Sequence, residues 1–84
     1  MVLYVSPGEG QVRAGFVSSR RVGGAVARNR ARRQMKEAWR SVASSIGGSF
    51  DLVFAARPEI REARTQDVTE EMHRSLAQAG VIPA

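Results

Sequence analysis

Apolar and polar positions along the chain fall into five blocks. Val2-Leu3-Tyr4-Val5 is a short run of β-branched, aliphatic and aromatic residues that predicts a strand. Ser6-Pro7-Gly8-Glu9-Gly10 ends it in a turn rich in breakers. A second strand is expected over about Val12 to Ser19, paired with the first in an antiparallel hairpin through a loop longer than two residues. Gly23-Gly24 interrupts the chain, and the apolar spacing then becomes helical from about Ala25 to Ile46. Gly47-Gly48 stops that helix. Phe50 to Ala56 is the third strand, ended by Arg57-Pro58. Thr65 or Thr69 offers an N-cap for a last helix reaching about Ala79, with Asp67, Glu70 and Glu71 near its positive end. Gly80 and Pro83 close it. Strand, strand, helix, strand, helix is an α+β order: a small mixed sheet with two helices packed on it.

The long helix carries two distinct faces. At about 100° per residue, Ala31, Met35, Ala38, Trp39, Val42 and Ile46 gather into one apolar stripe. Asn29, Arg32, Arg33, Lys36 and Arg40 gather on a neighbouring arc of roughly 100°. The stripe can bury on the sheet while the arc faces outward. Arg28, Asn29 and Arg30 lie near the helix N-terminus, where cations cost an isolated helix a few tenths of a kcal/mol. Arginines set against that preference point to a bound polyanion. Asn29 can bond a phosphate, a ribose hydroxyl or a base edge, or act as a local cap.

Composition sharpens this picture. The 84 residues make a single domain, 1–84, with a net charge of +5. Of the 13 Lys and Arg residues, nine fall between Arg13 and Arg40, with Glu37 the one acid among them. Beyond Arg40 there are four arginines against six acids. Such asymmetry gives a directed field suited to a polyanion. All the cations but Lys36 are arginine, whose planar fork suits phosphate oxygens and stacks on bases. There are no cysteines, so disulfides and thiolate metal sites are excluded. The single histidine, His73, leaves no basis for a conventional zinc site. No apolar run approaches the roughly 20 residues that span a bilayer, and the first residues do not read as a signal peptide. A cytoplasmic protein with no membrane partner is the expectation.

Charge alone does not separate RNA from DNA. A basic helix can read a major groove, but the helix-turn-helix or dimer context is missing. A sheet beside a basic helix suits single strands or irregular RNA. Trp39, Phe50 and Phe54 read as core. Phe16 stays ambiguous between core and cleft, and Tyr4 between packing and stacking on a base. The acids Asp51, Glu59, Glu62, Asp67, Glu70 and Glu71 form no obvious paired-carboxylate site, so a protein-based nuclease is not proposed.

Ala25-Val26-Ala27-Arg28-Asn29-Arg30-Ala31-Arg32-Arg33, preceded by Gly15-Phe16-Val17-Ser18-Ser19-Arg20-Arg21-Val22-Gly23, resembles the signature of the bacterial ribonuclease P protein component. Phe50 to Pro58 is similar to that family's strand after the basic helix, and Val2-Leu3-Tyr4 to its strand before the hairpin. The ordered blocks cover nearly the whole chain. The resemblance implies an accessory subunit of an endoribonuclease, joining a catalytic RNA that removes the 5′ leader of precursor tRNA with Mg²⁺ bound mainly by the RNA. By position, Arg21, Arg28, Asn29, Arg30, Arg32, Arg33 and Lys36 would contact RNA, and Tyr4 would lie in a sheet-and-helix cleft holding the leader. No residue of this chain is expected to be catalytic or to bind metal. The implied fold is like the second domain of ribosomal protein S5, with a left-handed βαβ crossover. The alternative is a non-catalytic RNA-binding module of ribosomal-protein type. Two departures stand out. Lys36 occupies a position where arginine is frequent, and the match begins mid-strand, without the family's N-terminal helix. Such a shortened form leaves an unpaired strand edge, open to self-association or strand exchange.

Overall fold

Six of the seven residues in Phe50–Ala56 are apolar, a composition that suits a strand. The computed structural model, which describes residues 1–83, places this strand at the centre of a three-stranded sheet. In chain order the elements are β1 (Val2–Pro7), β2 (Val12–Ser18), α1 (Ala25–Val42), β3 (Phe50–Ala56) and α2 (Thr65–Gln78). Short 3-10 turns occupy Ala43–Ser45 and Pro58–Glu62. The α+β class and the mixed sheet are as expected.

The strand pairing differs from the hairpin read in the sequence. β1 and β2 do not pair; β3 lies between them, antiparallel to β1 and parallel to β2. The parallel pair needs a crossover, and α1 supplies it. The loop between β1 and β2 therefore spans the width of a strand, and it does so over the start of β3. Gly8 donates its N–H to the Ser49 carbonyl at 3.2 Å. A Cβ on Gly8 would stand 2.8 Å from the Phe50 nitrogen and 2.9 Å from its carbonyl carbon. The Pro-Gly turn that resembles a hairpin is in fact a tight passage across a third strand.

Both helices bury their stripes on one face of the sheet. Ala31, Met35, Ala38 and Val42 of α1 are buried, as are Val68, Met72 and Leu76 of α2. Leu52 and Phe54 meet them from β3. Three aromatic rings fix α1 in place. Phe16 and Phe54 stack at 5.8 Å between centroids, and Trp39 of α1 tilts onto Phe54 at 5.8 Å and onto Phe16 edge-on at 6.4 Å. Phe16, ambiguous in sequence, belongs to the core face.

Element ends show two further differences. The regular α1 helix stops at Val42 and tightens into the 3-10 turn, short of the Ile46 end read in the sequence. At α2, neither threonine caps. Asp67 accepts the Arg64 backbone N–H at 3.0 Å, which holds its carboxyl below the usual aspartate range, an effect that burial partly opposes and the Arg64 side chain adds to. The other end is a Schellman motif, with Gly80 N–H to the Ala77 carbonyl at 3.1 Å and Val81 N–H to Leu76 at 2.9 Å.

Gly8→Ala tests the passage over β3. Forcing a methyl against backbone should cost about 1–3 kcal/mol, read as a lower urea midpoint with an unchanged m-value. An unaltered midpoint would mean that the loop does not cross there.

Candidate nucleic-acid interface

With the stripe of α1 pinned to the sheet, the orientation of every other side chain on the helix follows from 100° per residue. Asn29, Arg33, Lys36 and Arg40 are exposed and Arg32 half-buried, all on the arc that faces away from the core. No carboxylate neutralises Arg32, Arg33 or Lys36 among the described residues. The one acid close to the arc, Glu37, accepts from Arg40 at 3.3 Å. Arg32 instead donates to the side-chain oxygen of Asn29, one turn earlier. That bond orients the guanidinium along the rod and leaves the Asn29 amide group pointing its donors elsewhere.

The remaining sequence candidates are not on this arc. Arg28 and Arg30 are separated by about 200° around the axis. Arg28 is half-buried on the Trp39 side, while Arg30 faces the Pro58–Glu62 turn and the start of α2. The three-residue run Arg28-Asn29-Arg30 thus presents its members to three directions. Arg21, exposed, lies ahead of α1 and shares a surface hollow with Arg57 and Glu59 at the end of β3.

Tyr4 occupies a different surface altogether. Residues opposite each other across a ladder share a face. Val53 is flanked by Tyr4 and Gly15, Ala55 by Val2 and Val17, and Asp51 by Ser6 and Arg13. This is the face that the described helices leave open. Tyr4 is 60% exposed, Val17 49% and Val53 38%, so the ring stands in an apolar surface and not in the core. The helical wall of the expected cleft is absent among the described residues; Tyr4 lies on an open sheet.

The rim of that surface holds an ion pair that sequence reading did not anticipate. Arg13 grips Asp51 in a fork, Nε to Oδ1 at 2.9 Å and Nη2 to Oδ2 at 3.0 Å. The fork lowers the Asp51 pKa and raises that of Arg13, with desolvation opposing both. Asp51 is thereby committed to a structural partner. Among the described residues no three His, Cys, Asp or Glu side chains cluster closely enough to hold a metal ion. No helix of the described chain is long and apolar enough to cross a membrane. Arg61 is the functional candidate missed in the sequence: it lies outside the basic run, and only the 3-10 turn brings it to the head of α1.

Comparison with known proteins gives the chain a family and its fold solved counterparts. A family model described as Ribonuclease P matches residues 1–80. The ribonuclease P protein component of Chloroflexus aurantiacus is 42% identical, over 100% of this chain and 64% of that protein. That of Roseiflexus castenholzii is 37% identical, over 98% of this chain and 69% of its own length. The chain thus spans 64% of the length of the first of these relatives. Among solved structures, the Staphylococcus aureus RNase P protein superposes with a TM-score of 0.81 at 24% identity, covering 95% of this chain and 74% of that one. The Thermotoga maritima RNase P protein gives 0.78 at 25% identity, covering 90% and 74%.

Asp51 gives the interface a pH signature. Its folded pKa lies below the unfolded value of about 3.9, so its contribution to stability is full above that pH and lost as pH falls through the folded value. Asp51→Asn should flatten the acid limb of a stability-against-pH curve, and the difference should shrink in high salt because the pair is exposed. Parallel curves for variant and parent would show that the fork contributes nothing in solution.

Proposed function

This chain belongs to the ribonuclease P protein family, and we propose that it binds the catalytic RNA of ribonuclease P and assists that RNA in removing the 5′ leader of precursor tRNA. The observation that carries the reading is the unneutralised arc Arg32, Arg33 and Lys36 on a helix locked to a sheet by its opposite face. A row of cations on one face of a rigid helix can follow a phosphate backbone.

In this reading Asn29, Arg32, Arg33 and Lys36 hold the RNA backbone, with Arg28 and Arg30 gripping from the two flanks and Arg21 near the helix entry. The separate open face, with Tyr4 at its centre, takes the single-stranded leader by stacking, worth about 1–3 kcal/mol per base. RNA performs the hydrolysis. Mg²⁺ belongs to the RNA in this scheme. The protein's part is to screen two polyanions from each other, which lowers the Mg²⁺ they need to associate.

Two measurements test this. Mixed with a bacterial ribonuclease P RNA at low Mg²⁺, the chain should raise 5′ cleavage of leader-bearing precursor, and Tyr4→Ala should reduce the preference for leader-bearing over leaderless substrate. Equal affinity with and without a leader would instead favour a module that binds only structural RNA. In binding assays, about four neutralised phosphates give a slope of log K against log salt near −3, at about −0.7 per phosphate for single strands. Arg32→Ala with Arg33→Ala should flatten that slope; an unchanged slope would place the RNA surface elsewhere.

A further inference from the structure

A cavity of about 510 Å³ opens at the head of the basic helix, between its first two turns and the Pro58–Glu62 turn. Its volume falls within the ~300–1,000 Å³ typical of small-ligand sites. Val26, Ala27, Ala31 and Ile60 give it apolar walls, and Arg30 and Arg61 supply two guanidinium groups. The wall is anchored at two points. Ile60 is buried in the core, and the Gln34 side-chain amide donates to the Ala63 carbonyl at 3.0 Å.

Charge and apolar surface meet here without being satisfied. Arg61 lies against Gly23, where a Cβ would stand 3.4 Å from its Nη1. Neither Arg30 nor Arg61 has a carboxylate partner among the described residues, and the first turn of α1 contains no acid. Two cations therefore sit beside the positive end of an 18-residue helix. That placement is unfavourable in the free protein and becomes favourable when an anion enters. The walls demand more than an anion. Val26 is 85% exposed, a β-branched side chain at the mouth with nothing packed on it. A ligand that fills the cavity would match it best with an anionic group at one end and an apolar body at the other.

We propose that this cavity is a nucleotide pocket that takes one unpaired nucleotide of the RNA partner, its phosphate between Arg30 and Arg61 and its base against Val26 and Ala27. The inference rests on the RNA-binding reading above and adds to it Arg61, a contact from outside the basic run. It also gives Arg30, turned away from the arc, a role of its own. Where the arc holds backbone of any sequence, the pocket selects an RNA position at which a base is free to leave the stack.

Adenosine 5′-monophosphate, inorganic phosphate and adenosine are the probes, each titrated into the isotopically labelled chain, with affinity for ribonuclease P RNA measured in parallel. The monophosphate should shift the amides of Gly24 to Ala27 and Arg61, and phosphate or adenosine should bind about tenfold or more weakly, equivalent to at least one decade in Kd. Arg61→Gln and Val26→Glu should each weaken the monophosphate and the RNA several-fold. Both positions are exposed, and a glutamate in the first turn favours the helix dipole, so unchanged thermal melts separate lost binding from lost folding. Phosphate binding as tightly as the monophosphate, or shifts confined to Arg32, Arg33 and Lys36, would overturn the pocket. RNA affinity that ignores Arg61→Gln and Val26→Glu but falls with Arg32→Ala and Arg33→Ala would sink the pocket and spare the RNA reading. Indifference to all four substitutions would sink both.

Discussion

The contact of Trp39 with Phe16 and Phe54 sets the rotation of the basic helix, and every functional orientation in the molecule depends on that rotation. A turn of about 100°, one residue's worth, would carry the cationic arc toward the sheet. Burying an unpaired guanidinium costs several kcal/mol, whereas aromatic pairs contribute about 0.5–1.5 kcal/mol beyond the area they bury. The penalty forbids the wrong orientation, and the ring cluster selects a single geometry among those the penalty permits. A stripe of Ala31, Met35, Ala38 and Val42 alone is smooth enough to slide. The indole tilted against two mutually stacked phenyl rings is not.

The helix so held is electrostatically uneasy. Arg28, Arg32, Lys36 and Arg40 follow one another at four-residue spacing, and such like-charged pairs destabilise a helix by about 0.2–0.5 kcal/mol each. Glu37 relieves the last of them through Arg40. At the other end, the helix begins at Gly24 with no side-chain cap and no acid in its first turn. These omissions would be faults in a free-standing domain. They make sense for a surface completed by a polyanion, which relieves repulsion and compensates the helix terminus together. Any polyanion bound along this face would by linkage stabilise the fold.

Much of this was legible in the sequence, because it depends on local periodicity. The α+β order, the bounds of β3 and the separation of stripe from arc all follow from residues a few positions apart. The sheet order did not, since nothing local distinguishes a hairpin from two strands awaiting a third. The difference shows at Gly8, which reads in sequence as a turn glycine and in the structure stands tight against the backbone of Phe50. Arg28 and Arg30 illustrate a different miss. Their adjacency in sequence suggests a common target, yet the helical angle alone sends them to opposite flanks. Arg61 was beyond reach, because its neighbourhood to Arg30 is made by a turn with no strong sequence signal. The N-terminal capping contact of α2 went to Asp67, a residue whose acidity drew attention for its charge when its geometry mattered more.

The placement of β3 between β1 and β2 has a consequence for biogenesis. Neither of the first two strands can find its hydrogen-bonding neighbour until the chain through Ala56 has been made. At a synthesis rate of ~5–20 residues per second, β1 and β2 wait for seconds as two unmatched ribbons, and their tyrosine- and valine-bearing surfaces wait with them. The long-range closure that follows is slow by its nature. However early the first two strands are made, the sheet therefore closes only once the third has been synthesised.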